Sequence, residues 1–106
     1  MVKLATVTLR GASGTVYPFD AYPWGTPFQP FGAVYTVLKQ RLDGRFDVLY
    51  VGRTTDMSER FDNHHKESCF RIHGRTHIGV HADPLEARRQ AIETDLIRGN
   101  RTPCNG

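Results

Sequence analysis

Long apolar runs are missing from this 106-residue sequence, and several residue types are scarce. No stretch is apolar enough to suggest a membrane span, and the first residues alternate in hydrophobicity instead of forming the apolar segment of a secretory leader. With 39% hydrophobic and 24% charged residues, the chain also lacks the polar bias of a disordered protein. We therefore expect a single globular domain over residues 1–106, located in the cytoplasm.

The sequence also has few cysteines and a small net charge. The two cysteines are Cys69 and Cys104, and because a lone pair in a cytoplasmic protein is usually reduced, we expect free thiols. The formal net charge is +3 and the pI is about 9.1, a balance that favours nucleic acid over acidic partners only mildly. Composition alone therefore selects no function.

Alternating runs rich in β-branched and aromatic residues predict five short strands. They cover residues 3–9, 15–19, 33–39, 46–51 and 77–81. The first two form an N-terminal hairpin, and Pro18 predicts that its second strand lies at a sheet edge. Residues 22–30 are rich in proline and aromatic residues, and we interpret them as an arm. The arm either packs on the core or stacks nucleic-acid bases on Trp24, Tyr22 or Phe28.

The second predicted hairpin turns at Asp43-Gly44, a strong signal for a two-residue turn. That turn would place Tyr35 opposite Gly52. Tyr35 and Tyr50 would then lie diagonally on one face of the sheet, within side-chain reach of each other. A loop of the other parity would separate the two tyrosines, so this prediction depends on the turn.

A helix is predicted to begin near Met57, directly after the fourth strand. Asp56 with Glu59 three residues later has the pattern of a capping box. In such a helix Arg60 and His64 share a face one turn apart, and the apolar residues on that face indicate that it packs inward. Either Arg60 extends to solvent and His64 makes a single backbone hydrogen bond, or both side chains serve a buried site.

A second helix is predicted from Asp83, its cap, to about Arg98, with Pro84 at the first helical position. Its buried stripe is expected to contain Leu85, Ile92 and Leu96. Glu93 lies at the margin of this stripe, where an unpaired carboxylate would be costly. It therefore requires either a salt bridge to an arginine or a divalent metal ion.

Several of these residues recur at the spacing of a known motif set. They are the run Gly32-Ala-Val-Tyr35, the run Tyr50-Val-Gly52, and Arg60, His64, Glu93 and Asn105. This pattern resembles the GIY-YIG nuclease family, although Ala-Val stands between the glycine and the tyrosine of the first motif. The N-terminal arm resembles that of short stand-alone bacterial members.

The resemblance covers residues 32–106 and implies an α/β core with a central antiparallel three-stranded sheet flanked by helices. Residues 1–31 would add the N-terminal β-hairpin and the arm. The family resemblance also implies the activity, which is metal-dependent endonuclease cleavage of phosphodiester bonds in DNA. The expected partner is therefore DNA, with neither a membrane nor a small-molecule cofactor involved.

Roles for individual residues follow from the same resemblance. Glu93 would hold a single Mg²⁺ or Mn²⁺ ion, which prefers oxygen ligands and would polarise the phosphate. Arg60, and Arg53 after the glycine of the second motif, would bind phosphate through planar forks of donors. The residues that would orient or deprotonate the attacking water are Tyr35, Tyr50 and His64, and the identity of the base stays open. Supporting roles would fall to Gly52, Asn105 and His73.

Two alternatives are compatible with the same residues. The chain could be a nucleic-acid-binding or protein-interaction module that keeps this fold without cutting, or that cuts only with a targeting protein partner. Separately, the four side chains of a structural zinc site are available in Cys69, His73, His77 and Cys104. Their spacing matches no established zinc pattern, and Gly74 interrupts the helix that would align the histidines.

Overall fold

Five strands and two helices form the fold in the computed structural model, which describes residues 4–61 and 64–105. The strands are β1 (Ala5–Arg10), β2 (Val16–Pro23), β3 (Ala33–Gln40), β4 (Phe46–Thr54) and β5 (His77–Ala82). The helices are α1 (Glu67–Ile72) and α2 (Glu86–Gly99). All five predicted strands are present, and the start predicted for the first one, Lys3, lies outside the described residues.

The strands form one antiparallel sheet in the order β1-β2-β5-β3-β4. The prediction of a central three-stranded sheet extended by an N-terminal hairpin holds in part, because all five strands belong to one antiparallel sheet. Asp20–Pro23 of β2 pair with His77–Val80 of β5, and this ladder joins the N-terminal hairpin to the other strands. The edge prediction for β2 is wrong, because the strand is internal. Pro18 itself lies outside the β2–β5 ladder, so its missing N–H costs no bond to β5.

The β3–β4 hairpin has the predicted pairing at the tyrosines but a different turn. Tyr35 pairs with Gly52, as expected. The turn, however, leaves a three-residue loop over 42–44, because the N–H of Arg41 donates to the carbonyl of Arg45 at 2.7 Å. A β-bulge at Leu49 compensates for the additional loop residue and restores the register beyond it.

The helix predicted to begin near Met57 does not form, and residues 57–61 are in turns instead. The Oδ1 atom of Asp56 accepts a hydrogen bond from the N–H of Ser58 at 2.8 Å, so the expected helix cap closes a local turn. Met57 is nevertheless buried, as the predicted inward face required. The helix in this region is the six-residue α1, which begins at Glu67.

α2 follows the predicted position closely. The predicted cap at Asp83 and first helical position at Pro84 are wrong, because Leu85 is the N-cap and the helix begins at Glu86. Asp83 instead accepts a hydrogen bond from the N–H of Leu85 at 2.9 Å, just before the helix. Ile92 and Leu96 are buried as predicted, but Leu85 is exposed. Arg89 takes its place in the buried stripe, where its guanidinium donates to the carbonyl of Asp83 at 2.7 Å.

The sheet has an apolar cluster on each side. We call the side that carries Tyr35 and Tyr50 the tyrosine face, and the side that carries Val34 and Val51 the α2 face. The buried cluster on the tyrosine face consists of Ala33, Tyr35, Val37, Leu49, Tyr50, Met57, Phe70, Ile78, Val80 and Cys104. The cluster on the α2 face consists of Leu9, Phe19, Val34, Val51, Ile92 and Leu96. Among the described residues, neither α1 nor α2 is long and apolar enough to cross a membrane.

Candidate active site

The hydroxyl oxygen of Tyr35 is the centre of a buried polar cluster on the tyrosine face. The Nε–H of Arg60 donates to this oxygen at 2.6 Å, and Nε2 of His64 lies 2.8 Å from it. The turn after β4 brings both side chains to β3, although the predicted helix is absent. Tyr35 is fully buried and His64 is nearly so, whereas Arg60 remains partly exposed. Arg60 therefore links the buried hydroxyl to the surface.

The protonation state of His64 follows from its second contact. The backbone N–H of Lys66 donates to Nδ1 of His64 at 3.1 Å. Because Nδ1 is the acceptor, the proton of the neutral imidazole lies on Nε2, which donates to Tyr35. Tyr35 thus accepts two hydrogen bonds, and its own O–H is directed away from Arg60 and His64.

Gly52 provides the space in which the two tyrosines meet. A Cβ atom at this position would lie 2.6 Å from the hydroxyl oxygen of Tyr35 and 2.7 Å from Cε2 of Tyr50, closer than side chains tolerate. The Tyr50 ring lies 6.0 Å from the Tyr35 ring and 5.2 Å from the His64 ring, between centroids. The contact of the two tyrosine rings thus requires a residue without a side chain at Gly52, the glycine of the second motif.

Burial sets the acid–base behaviour of the cluster. Burial, with a smaller effect of Tyr50, raises the pKa of Tyr35, and the opposing effect of Arg60 is weaker. Burial also lowers the pKa of His64 to about 4, with Arg60 and the neighbouring positive charges acting in the same direction. At neutral pH both groups are therefore uncharged, and the lone pair of His64 is engaged by Lys66. The cluster can therefore orient hydrogen bonds, but neither Tyr35 nor His64 is available to take up a proton at neutral pH.

Arg53 and Glu93 lie on the opposite side of the sheet from this cluster. Arg53 follows Gly52 in β4, so its side chain projects to the α2 face. There it forms ion pairs with Glu93 and, at 2.9 Å, with Glu86. The salt bridge expected as one option for Glu93 is present, with Arg53 as the partner. The structure thus brings Tyr35, Tyr50, Arg60 and His64 together and separates them from Arg53 and Glu93.

Asn105 fixes the C-terminal segment to β4. Its side-chain Nδ2 donates to the carbonyl of Val51 at 2.9 Å, while its Oδ1 accepts from the N–H of Val51 at 2.8 Å. The N–H of Cys104 donates to the carbonyl of Leu49 at 2.8 Å. These bonds hold the chain beside Tyr50, in agreement with the supporting role predicted for Asn105.

The expectation of free thiols is wrong in this structure, because Cys69 of α1 and Cys104 form a disulfide. His73 lies beside that bond, with the ligand atoms of the three residues within 4.8 Å of one another. His77, the fourth member of the alternative zinc set, is not in this group of described residues. Its ring packs against Phe46 and its Nδ1 lies 2.7 Å from Thr76 Oγ1.

The N-terminal arm packs on the tyrosine face, which is the first of the two roles considered for it. Trp24 contacts Phe61 at 5.1 Å and lies under the guanidinium of Arg75 at 4.3 Å. Phe61 in turn contacts the Tyr35 ring edge-on at 5.3 Å. The contact of Phe61 with Tyr35 was not predicted. The sequence placed Phe61 on the apolar face of a predicted helix at residues 57–64, where it would be an ordinary core residue. A groove of about 400 Å³ separates the arm from the turn that follows β4.

Comparison with protein-family models, with curated proteins and with solved structures finds no match for this chain. The chemistry of the site residues is therefore the basis for assigning a function.

Proposed function

We propose that this protein is a metal-dependent endonuclease of the GIY-YIG type that hydrolyses phosphodiester bonds in DNA. The observation that supports the proposal is the convergence of Arg60 and His64 on the Tyr35 hydroxyl, beside Tyr50. An arginine, a histidine and two tyrosines at one point agree with the residues that the family resemblance assigned to phosphate and water.

Arg60 has the geometry of a phosphate ligand in this scheme. Its Nε–H is bonded to Tyr35, which fixes the plane of the guanidinium, and its partial exposure leaves the terminal nitrogens for a non-bridging oxygen. The hydroxyls of Tyr35 and Tyr50 would orient the attacking water. Because Tyr35 is fully buried, substrate binding has to open the cluster at Arg60 before a water reaches that hydroxyl.

Glu93 is the carboxylate that would hold the divalent ion. Its Oε1 accepts a hydrogen bond from Arg53. Arg53 also pairs with Glu86, so its charge stays neutralised when Glu93 binds a cation. In the family scheme Mg²⁺ or Mn²⁺ would supply polarisation of the phosphate and stabilisation of the leaving oxygen. Glu93 lies across the sheet from the Tyr35 hydroxyl, so the described residues do not place an ion held by Glu93 beside a phosphate bound by Arg60.

The decisive measurement is nicking of supercoiled plasmid with Mg²⁺, Mn²⁺ or EDTA. We expect metal-dependent nicking by the wild type and its loss in Glu93→Ala. Glu86→Ala is the matched control, because it also removes a carboxylate from Arg53 and should keep most of the activity. Arg60→Lys should lose roughly 100-fold or more, since a lysine cannot donate to Tyr35 and phosphate from a planar fork. Arg71→Lys, on the exposed side of α1, is its control.

A second candidate function is favoured by one observation. Glu93 lies on the α2 side of the sheet, across from the Tyr35 hydroxyl, an arrangement suited to a binding module that does not cut. If neither the wild type nor Glu93→Ala nicks the plasmid, the result would support the binding module. Its DNA affinity should then fall linearly with salt on a double-logarithmic plot. Nicking that persists in Glu93→Ala would instead reject Glu93 as the metal ligand.

A further inference from the structure

The region around the disulfide contains a set of metal-ligating side chains outside the Tyr35 cluster. The Sγ atoms of Cys69 and Cys104 and a ring nitrogen of His73 lie within 4.8 Å of one another. In a tetrahedral zinc site, bonds of about 2.0–2.3 Å place neighbouring ligand atoms roughly 3.5–3.8 Å apart. His73 is thus close enough to join the two sulfurs around one ion, but the sulfurs are bonded to each other in the disulfide and can move apart to this spacing only after reduction.

We propose that reduction of the Cys69–Cys104 disulfide creates a binding site for Zn²⁺, formed by two thiolates and His73. Thiolate sulfur and imidazole nitrogen are the ligands that this ion prefers. The fourth position is open to water, because His73 is exposed and borders a cavity of about 390 Å³.

The backbone around the site is held by bonds that do not depend on the disulfide. His73 follows Cys69 by one helical turn at the end of α1, and its N–H donates to the carbonyl of Cys69 at 3.0 Å. Cys104 is fixed to Leu49, and Asn105 is fixed to Val51 by two hydrogen bonds. These bonds keep each segment in its local arrangement after the sulfur–sulfur bond is broken, and Phe70 of α1 packs in the same buried cluster as Cys104.

The cavity beside His73 is also lined by Lys39, Asp47 and Arg101, so it contains charged groups of both signs. The two thiolates balance the charge of a divalent ion. Zinc would thus replace the disulfide as the connection between α1 and the C-terminal segment.

The chemistry balances with a phosphine as the reductant. A trialkylphosphine transfers two electrons to the disulfide and becomes the phosphine oxide by taking the oxygen of one water. The two hydrogens of that water go to the sulfurs of Cys69 and Cys104. Binding of Zn²⁺ then releases these two protons to solvent.

Zn²⁺ binding by the oxidised and the phosphine-reduced chain, measured by calorimetry, tests the proposal. We expect one ion per reduced chain and none at this site in the oxidised chain. With Co²⁺ as a probe, the reduced chain should show the thiolate-to-metal absorption band. His73→Gln should weaken binding by roughly 100-fold, since loss of a direct ligand should cost no less than loss of an outer-shell partner. His65→Gln, at an exposed histidine outside the set, should bind like wild type.

Three results would overturn the proposal. The first is equal Zn²⁺ affinity in reduced wild type and His73→Gln, which would remove the histidine from the site. The second is an oxidised chain that binds as tightly as the reduced one, which would place the ion elsewhere. The third is the absence of binding when a thiol assay finds two free cysteines. None of these readouts depends on nuclease activity.

Discussion

The two faces of the sheet are covered in different ways. The α2 face is covered largely by one 14-residue helix that buries aliphatic side chains. The tyrosine face is covered by separate short segments, which are the arm, the turn after β4, α1 and the C-terminal residues. The helix is held by apolar contact and also by polar bonds, which include the ion pairs of Arg53 with Glu86 and Glu93. The short segments of the tyrosine face bury less continuous apolar surface, and there the disulfide and the Tyr35 cluster join one segment to another.

This difference explains where the candidate chemistry lies. A polar side chain in a packed interior has to be hydrogen-bonded, because burying it unpaired is costly. On the tyrosine face Tyr35, Arg60 and His64 satisfy one another while joining β3 to the connection between β4 and α1. The same contacts therefore serve packing and form the candidate active site. Stability on this face should depend on redox state, pH and single polar atoms, which the following three predictions test.

Reduction of the disulfide should produce the largest change. The cross-link spans 35 residues, and its loss should lower the free energy of unfolding by about 3–4 kcal/mol through the added freedom of the unfolded chain. Urea unfolding with and without a phosphine, in the presence of a chelator, measures this difference. Hydrogen exchange should show lost protection in α1 and β4 before α2. An unchanged unfolding midpoint would contradict the view that the cross-link holds this face.

Acidification should destabilise the tyrosine face through His64. Its pKa is about 4 in the folded chain against 6.5 when unperturbed, so the unfolded chain binds the proton more readily. The contribution is fully present above pH 6.5 and is lost as the pH falls toward 4, by up to about 3 kcal/mol. The pKa of His77 is lowered in the same direction.

Urea unfolding at pH 7 and pH 4.5 checks this prediction. His64→Gln should show a smaller difference between the two pH values than wild type, whatever its stability at pH 7. His77→Gln, the matched control, should keep most of the difference. If His64→Gln is as sensitive to acid as wild type, then the buried imidazole is not the cause.

The smallest predicted changes compare two neighbouring residues of β3 on opposite faces. Tyr35→Phe removes the oxygen that accepts from Arg60 and His64, which should cost about 1–3 kcal/mol because a buried donor loses its partner. Thr36 is also fully buried, but its Oγ1 has no hydrogen-bond partner among the described residues. Thr36→Val should therefore be neutral or slightly stabilising. Urea midpoints that rank the two variants in the opposite order would reject the distinction between the faces.

Local sequence patterns predicted the strands and α2 well. Alternation placed all five strands within a few residues, and the Asp83-Pro84 signal placed the start of α2 within about three residues, although the N-cap is Leu85 and not Asp83. The contact of Tyr35 with Tyr50 was also predicted correctly, although from the wrong turn. The bulge at Leu49 offsets the longer loop, and a bulge leaves no clear signal in a single sequence.

Contacts between distant segments were harder to predict. The pairing of β2 with β5 joins residues more than fifty positions apart, and hydrophobic alternation does not specify a partner strand. The signals at Asp56 and Glu59 indicated a helix, but Asp56 bonds to Ser58 and the chain turns. The disulfide depends on the placement of α1 against the C-terminal segment, which no local pattern encodes. The separation of Glu93 from Tyr35 by the sheet has the same origin.

The attachment of Asn105 to Val51 also bears on self-association. β4 is an edge strand of the sheet, and an unpaired edge offers backbone donors and acceptors to another copy of the chain. The amide of Asn105 satisfies both backbone groups of Val51, while Cys104 takes the carbonyl of Leu49. Cys104 and Asn105 thus occupy part of the edge where a foreign strand would pair, so the segment that holds the candidate site together also blocks strand addition at this part of β4.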